Sequence, residues 1–232
     1  MKGLMALLLS LVLMLCGCGT DEPVLGETQR GCISVELLGE QRDFGCFLGK
    51  PCTGGEGAEA LVREVLGQYP AGFREQWGRV NILLCGELTG EDGFTGGHWA
   101  GFTQRAAGGW LMVLDADRFD AGTVHHEIAH ILDGILTDAG ALTEGEWMSF
   151  CPGGFVYGQS GDYLDFFADA YAMTDIREDR ARTFEDAVLY GPGIYADRPA
   201  LWLKLELFSR AIRNHFDTAD WPEKTVWELA LG

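Results

Sequence analysis

The sequence predicts an α+β domain in which a small, mostly antiparallel sheet packs on one central helix, with further helices toward the C-terminus. Three observations carry this. Two apolar, strand-forming runs, Arg79–Leu88 and Trp110–Leu114, lie in the first half; Val124, Ile128, Ile131, Leu132 and Ile135 then recur at helical spacing; and helical spacing returns in the last third. Strands gathered ahead of helices, without regular alternation, point to an α+β arrangement.

At 232 residues the chain holds one substantial domain with its own core. Its formal charge of -18, from 17 basic and 35 acidic residues, argues against nucleic acid and against electrostatic binding to anionic lipid. No nucleic-acid partner is expected.

At the N-terminus, Met1-Lys2-Gly3 leads into an apolar run from Leu4 to Leu15, followed by Cys16-Gly17-Cys18. A basic start, a short apolar middle and a small residue before a cysteine resemble a bacterial lipoprotein signal, and the run is too short for a comfortable membrane span. Cys18 is the better acceptor for the lipid, because Gly17 precedes it. Residues 1–17 are thus expected to be a signal peptide, residues 18–31 a lipidated cysteine and polar tether, and residues 32–232 the folded domain. This places the domain outside the cytoplasmic membrane, held to it by a lipid anchor. Cys32, Cys46, Cys52, Cys85 and Cys151 remain, an odd set. One bridge among the first three is plausible there, while the lack of any CxxC pair makes a zinc role for them weak.

Along the domain, Gly57 to Tyr69 reads as a short amphipathic helix ended by Pro70. Arg79–Leu88 reads as one buried strand, and the glycine-rich stretch Gly90 to Gly97 shows no phosphate-binding pattern. His98–Arg105 and Trp110–Leu114 form a hairpin around Ala106-Ala107-Gly108-Gly109. That hairpin runs straight into the central helix, so its strand can accept an extended peptide as an added strand. Asp120 or Thr123 caps the helix start. Asp138 to Gly161 reads as a loop, Tyr163 to Tyr190 as helical, and Pro199 to Phe216 as a closing core helix.

The central helix carries the chemistry. His126-Glu127-Ile128-Ala129-His130 spells HExxH. On a helix the two imidazoles stand one above the other and both reach one ion, while Glu127 sits beside it. Neutral imidazole suits Zn2+, and a zinc with three protein ligands leaves a position for water whose pKa falls to roughly 7. The motif therefore assigns His126 and His130 as ligands and Glu127 as general base. His125 points round the helix, to a supporting or surface position, and His98 reads as an ordinary surface or core histidine.

A third ligand must come from elsewhere. The position six residues after His130 is Leu136, which rules out a third histidine there, so the choice falls among Glu144, Glu146, Glu178 and Glu185. Spacing alone leaves Glu178 and Glu185 both in play.

The run Tyr171-Ala172-Met173-Thr174-Asp175-Ile176-Arg177-Glu178, continuing to Phe184, resembles the catalytic domain of anthrax lethal factor and related bacterial zinc metallopeptidases. In their pattern a Tyr-x-x-Thr stretch leads to a glutamate ligand and then to x-x-Ala-Glu-x-Phe. The resemblance spans roughly Trp110 to Phe184 and implies a gluzincin-like fold within the zincins. It also implies Glu178 as third ligand, and Tyr171 as the hydroxyl that holds the oxyanion or protonates the leaving amine. The implied activity is a zinc-dependent endopeptidase acting on peptide or protein substrates. One position departs: the acid four residues after the ligand, which orients a ligating histidine in that family, is Arg182 here, with Asp179 or Asp133 as possible substitutes. The alternative is a metal-binding or adhesion lipoprotein that keeps the fold with little or no turnover.

Overall fold

The computed structural model describes residues 31–90 and 97–232. The expected signal peptide, Cys18 and the tether up to residue 30 lie outside the described residues, as does most of the glycine-rich stretch.

The chain runs β1 (Ile33–Leu37), β2 (Arg42–Asp43), β3 (Phe47–Lys50), α1 (Glu56–Gly67), α2 (Ala71–Arg74), β4 (Arg79–Cys85), β5 (Glu87–Gly90), β6 (Gly101–Ala106) and β7 (Gly109–Asp115). Then come α3 (Ala121–Asp138), α4 (Glu144–Met148), α5 (Ile176–Tyr190) and α6 (Pro199–His215), closed by a 3-10 turn at Glu228–Leu231. Small sheets packed against helices make this an α+β fold, as the sequence predicts.

The main sheet has the order β1-β4-β7-β6. β4 pairs in parallel with both β1 and β7, and β6 closes one edge antiparallel to β7. The β1–β4 pair follows from a crossover: α1 lies between the two strands in sequence and returns the chain in the same direction. Antiparallel pairing is otherwise confined to the second sheet, β2-β3-β5.

β7 shows why the main sheet lies inside. Trp110, Met112 and Leu114 join Val80, Ile82 and Leu84 against the helices, while Leu111 and Val113 join Leu83, Cys85, Leu88 and Phe102 in a second cluster. An inner strand covered on both faces reads as a continuous apolar run rather than an alternating one. The single strand expected over Arg79–Leu88 divides at Gly86, whose N–H donates to the Lys50 carbonyl (3.0 Å). The chain thereby passes from the main sheet to the second one.

α3 begins in a capping box: the Asp120 carboxylate accepts from the Thr123 N–H (2.9 Å) and the Thr123 hydroxyl accepts from the Asp120 N–H (3.4 Å). Both expected capping residues are used, which satisfies two of the orphan donors at a helix start. The helix continues through Gly134 because the glycine lets Trp110 of β7 lie against it. A Cβ there would sit 2.2 Å from the Trp110 ring.

Beyond α3 the structure differs from the sequence reading in two places. A short helix, α4, interrupts the expected loop, capped by Thr143, whose hydroxyl accepts from the Glu146 N–H (3.3 Å). The helical reading of Tyr163–Tyr190 holds only from Ile176, where Asp175 caps α5. The preceding residues form turns instead, because their aromatics fill a local cluster around Phe155, Phe167, Ala172 and Met173. All five described cysteines are free. Among the described residues no helix is long and apolar enough to cross a membrane.

Candidate metal centre

α3 and α5 pack directly on one another and build the site between them. One helical turn separates His126 from His130, and their rings stand 4.7 Å apart with Nε2 atoms at 3.1 Å. Glu178, in the first turn of α5, reaches across. Its Oε2 lies 3.0 Å from His126 Nε2 and 3.5 Å from His130 Nε2.

These separations fit an ion. Donors bound at zinc distances in a tetrahedron stand about 3.3 Å from one another, and the three observed separations of 3.0, 3.1 and 3.5 Å bracket that value. Two imidazoles and a carboxylate suit zinc chemically.

Glu127 is buried beside this triad, and its Oε2 has no hydrogen-bond partner among the described residues. A buried carboxylate oxygen left unpartnered needs a water or an ion to satisfy it. Burial pushes its carboxyl above the ordinary range, against the pull of His130 and His126. The Thr103 hydroxyl, on edge strand β6, donates to the Glu127 backbone carbonyl (3.4 Å), so the edge strand of the sheet runs next to the motif.

Tyr171 occupies the turn before α5. Its half-exposed ring lies 6.2 Å from the His126 ring. The turn is held by Asp169, which accepts from the Ala172 N–H (2.9 Å), and by the Thr174 hydroxyl donating to the Tyr171 carbonyl (2.7 Å).

Burial works hardest against a charge on His126, yet hydrogen bonds to Glu178 and Glu185 and the charge of Glu127 outweigh it and hold the imidazole above its ordinary value. Burial likewise opposes a charge on Glu178, but the two histidines pull its carboxyl well below the usual range. Both shifts arise between the same side chains that would hold an ion.

Glu185, the other residue in play as third ligand, lies on the far side of His126, where its Oε2 sits 3.1 Å from Nδ1. It takes the place that Asp179 or Asp133 was expected to fill. Those two are committed elsewhere: Asp179 to Lys204 (2.6 Å), Trp147 and Tyr157, and Asp133 to Arg180 (2.5 Å). Neither could reach His126 without abandoning a buried cation. The signal was present in the sequence, since Glu178 and Glu185 are two turns apart on one helix face.

The other histidines stand apart. His125 is buried in the core rather than at the surface, with its Nδ1 2.6 Å from the Tyr69 hydroxyl; desolvation pulls it down to about 4, so it stays neutral. His98 lies 3.6 Å from the Glu87 carboxylate and contributes no donor to the triad. Glu144 and Glu146 sit in the first turn of α4, where Glu146 accepts from Thr143 (2.7 Å).

Comparison with known proteins bears on the fold. No family model matches the chain, and no curated protein does. Among solved structures it is similar to a "putative zinc-binding metallo-peptidase" from Bacteroides caccae. The TM-score is 0.52 at 13% identity, over 86% of this chain and 83% of that one. At that identity the likeness is one of fold, and it supports a metallopeptidase-like architecture.

Proposed function

We propose that this chain is a zinc-dependent endopeptidase, held outside the cytoplasmic membrane by a lipid on Cys18. The observation that carries the enzymatic reading is the triad of His126, His130 and Glu178 with donor atoms 3.0 to 3.5 Å apart, beside the unpartnered Glu127 oxygen. A structural ion needs no general base.

His126, His130 and Glu178 would hold the zinc, which would supply Lewis acidity and lower the pKa of a bound water to roughly 7. Glu127, its affinity for a proton raised by burial, takes the proton from the attacking water and passes it to the leaving amine. Tyr171 donates its phenolic hydrogen to the oxyanion that develops as the carbonyl is attacked. β6 offers the substrate backbone an edge to pair with, which favours an extended peptide segment.

The second reading, a metal-binding or adhesion lipoprotein without turnover, drew on Arg182. The contact of Glu185 with His126 supplies an orienting carboxylate despite Arg182, and this favours the peptidase. Digestion of a broad peptide library decides between them. Cleavage is expected, and it should disappear with a chelator and in Glu127→Ala while zinc binding in that variant persists. Tyr171→Phe should slow turnover by about 10²-fold with zinc unchanged. No cleavage of any peptide by the zinc-loaded protein would leave the second reading. For the anchor, Cys18→Ser should move the protein from the detergent phase to the aqueous phase; no change would remove the lipid from the account.

A further inference from the structure

One side chain touches both halves of the site without facing the triad. Arg182, on α5, donates from Nε to Asp169 Oδ2 (2.9 Å), pairs through its guanidinium with Glu185 Oε2, and lies 3.6 Å from Asp186. Each partner leads onward. Glu185 Oε2 lies 3.1 Å from His126 Nδ1, and the other oxygen of Asp169 caps the Ala172 N–H next to Tyr171.

The backbone of α3 is shaped to admit this arrangement. Gly122 stands one turn before His126, and a Cβ there would fall 2.8 Å from Glu185 Oε1 and 3.0 Å from Leu189. Glycine is a poorer helix former than alanine, so its use here is explained by fit against Glu185 and Leu189. The Glu185 carboxylate also lies against the first turn of α3, where the helix end favours negative charge.

We infer that Arg182 is a positioning residue that ties the turn carrying Tyr171 to the carboxylate orienting His126. The inference rests on the metal-centre reading and adds to it the role of Arg182, Glu185 and Gly122. With Glu185 accepting from Nδ1–H, Nε2 is the ring atom turned toward Glu178 and His130, and it would offer its lone pair to a bound ion. Arg182 fixes where Glu185 stands, and a guanidinium suits the task because its rigid fork bonds Asp169 and Glu185 at once. Lysine carries its donors on one nitrogen and lacks the fork's separate contact points.

The test uses the whole protein, metal-free and zinc-loaded, with two readouts besides activity: zinc affinity by chelator competition, and the exchange-protected Nδ1–H signal of His126 in proton–nitrogen NMR. Wild type should show the protected signal in both states. Glu185→Ala should lose it and bind zinc about 10- to 100-fold more weakly. Arg182→Gln should move the same way by a smaller factor, Arg182→Lys should restore part of it, and the Arg182→Gln/Glu185→Ala pair should be no worse than Glu185→Ala alone.

Gly122→Ala guards against misfolding, since it removes no polar group and favours the helix. It should still weaken zinc binding several-fold by displacing Glu185. A protected signal and unchanged affinity in all of these variants would overturn the inference and leave the metal centre standing. A wild type that binds no zinc would defeat the metal reading instead, and the Nδ1–H signal of the metal-free chain would still decide the role of Arg182.

Discussion

His126 lies between two carboxylates, and that single placement explains several properties of the centre. Glu178 faces one ring nitrogen and Glu185 the other, so the imidazole is held above its ordinary value despite its burial. That raised proton affinity means an ion has to compete with a proton for this residue. Zinc uptake should therefore release at least about one proton at pH 7, and apparent affinity should climb about tenfold per pH unit until His126 loses its proton unaided. Titration calorimetry in buffers of different ionisation enthalpy reads this number directly, and a proton count of zero would contradict the arrangement. The HExxH spacing alone marks His126, Glu127 and His130 as candidates, and the helix does stack the two imidazoles. Glu185 was read only as a rival ligand. Its actual place depends on which side of the ring α5 passes, and that is a matter of helix packing.

At the scale of elements, the site depends on the fit between α3 and its neighbours more than on helix propensity. Gly134 lies mid-helix against the Trp110 ring of β7, 2.2 Å from where a Cβ would be. Indole and helix backbone are both rigid, so Gly134→Ala should destabilise the fold by about 1–3 kcal/mol although alanine favours helices. A melting curve equal to or above that of wild type would show that the sheet and helix have room to shift. Helices were legible where apolar spacing was regular: α1, α3 and α6 lie close to their expected positions. The turns before α5 were not, because Tyr163, Phe166 and Phe167 mimic helical spacing while packing as a local cluster. The parallel inner pairings were also hidden, since a strand buried on both faces shows no alternation that would reveal its direction.

Across the whole molecule, a buried ion pair joins the last helix to the one carrying Glu178. Lys204 of α6 and Asp179 of α5 are both fully buried, 2.6 Å apart, and Lys204 also donates to the Phe166 carbonyl (2.7 Å). The closing helix thereby fixes both α5 and the aromatic turns leading to Tyr171. Lys204→Met should cost about 3–5 kcal/mol, because it leaves the Asp179 charge buried without its cation. Denaturant unfolding measures it, and a loss below about 1 kcal/mol would mean the pair holds nothing together. In the sequence Lys204 looks like any polar residue of an amphipathic helix, and the packed structure turns it inward. The most direct test of the account is the zinc content of the purified, reconstituted chain beside its Glu178→Ala variant. The account predicts about one zinc per wild-type chain and clearly weaker binding in the variant. Equal zinc in both would move the third ligand away from Glu178, and no zinc in either would contradict the metal centre itself.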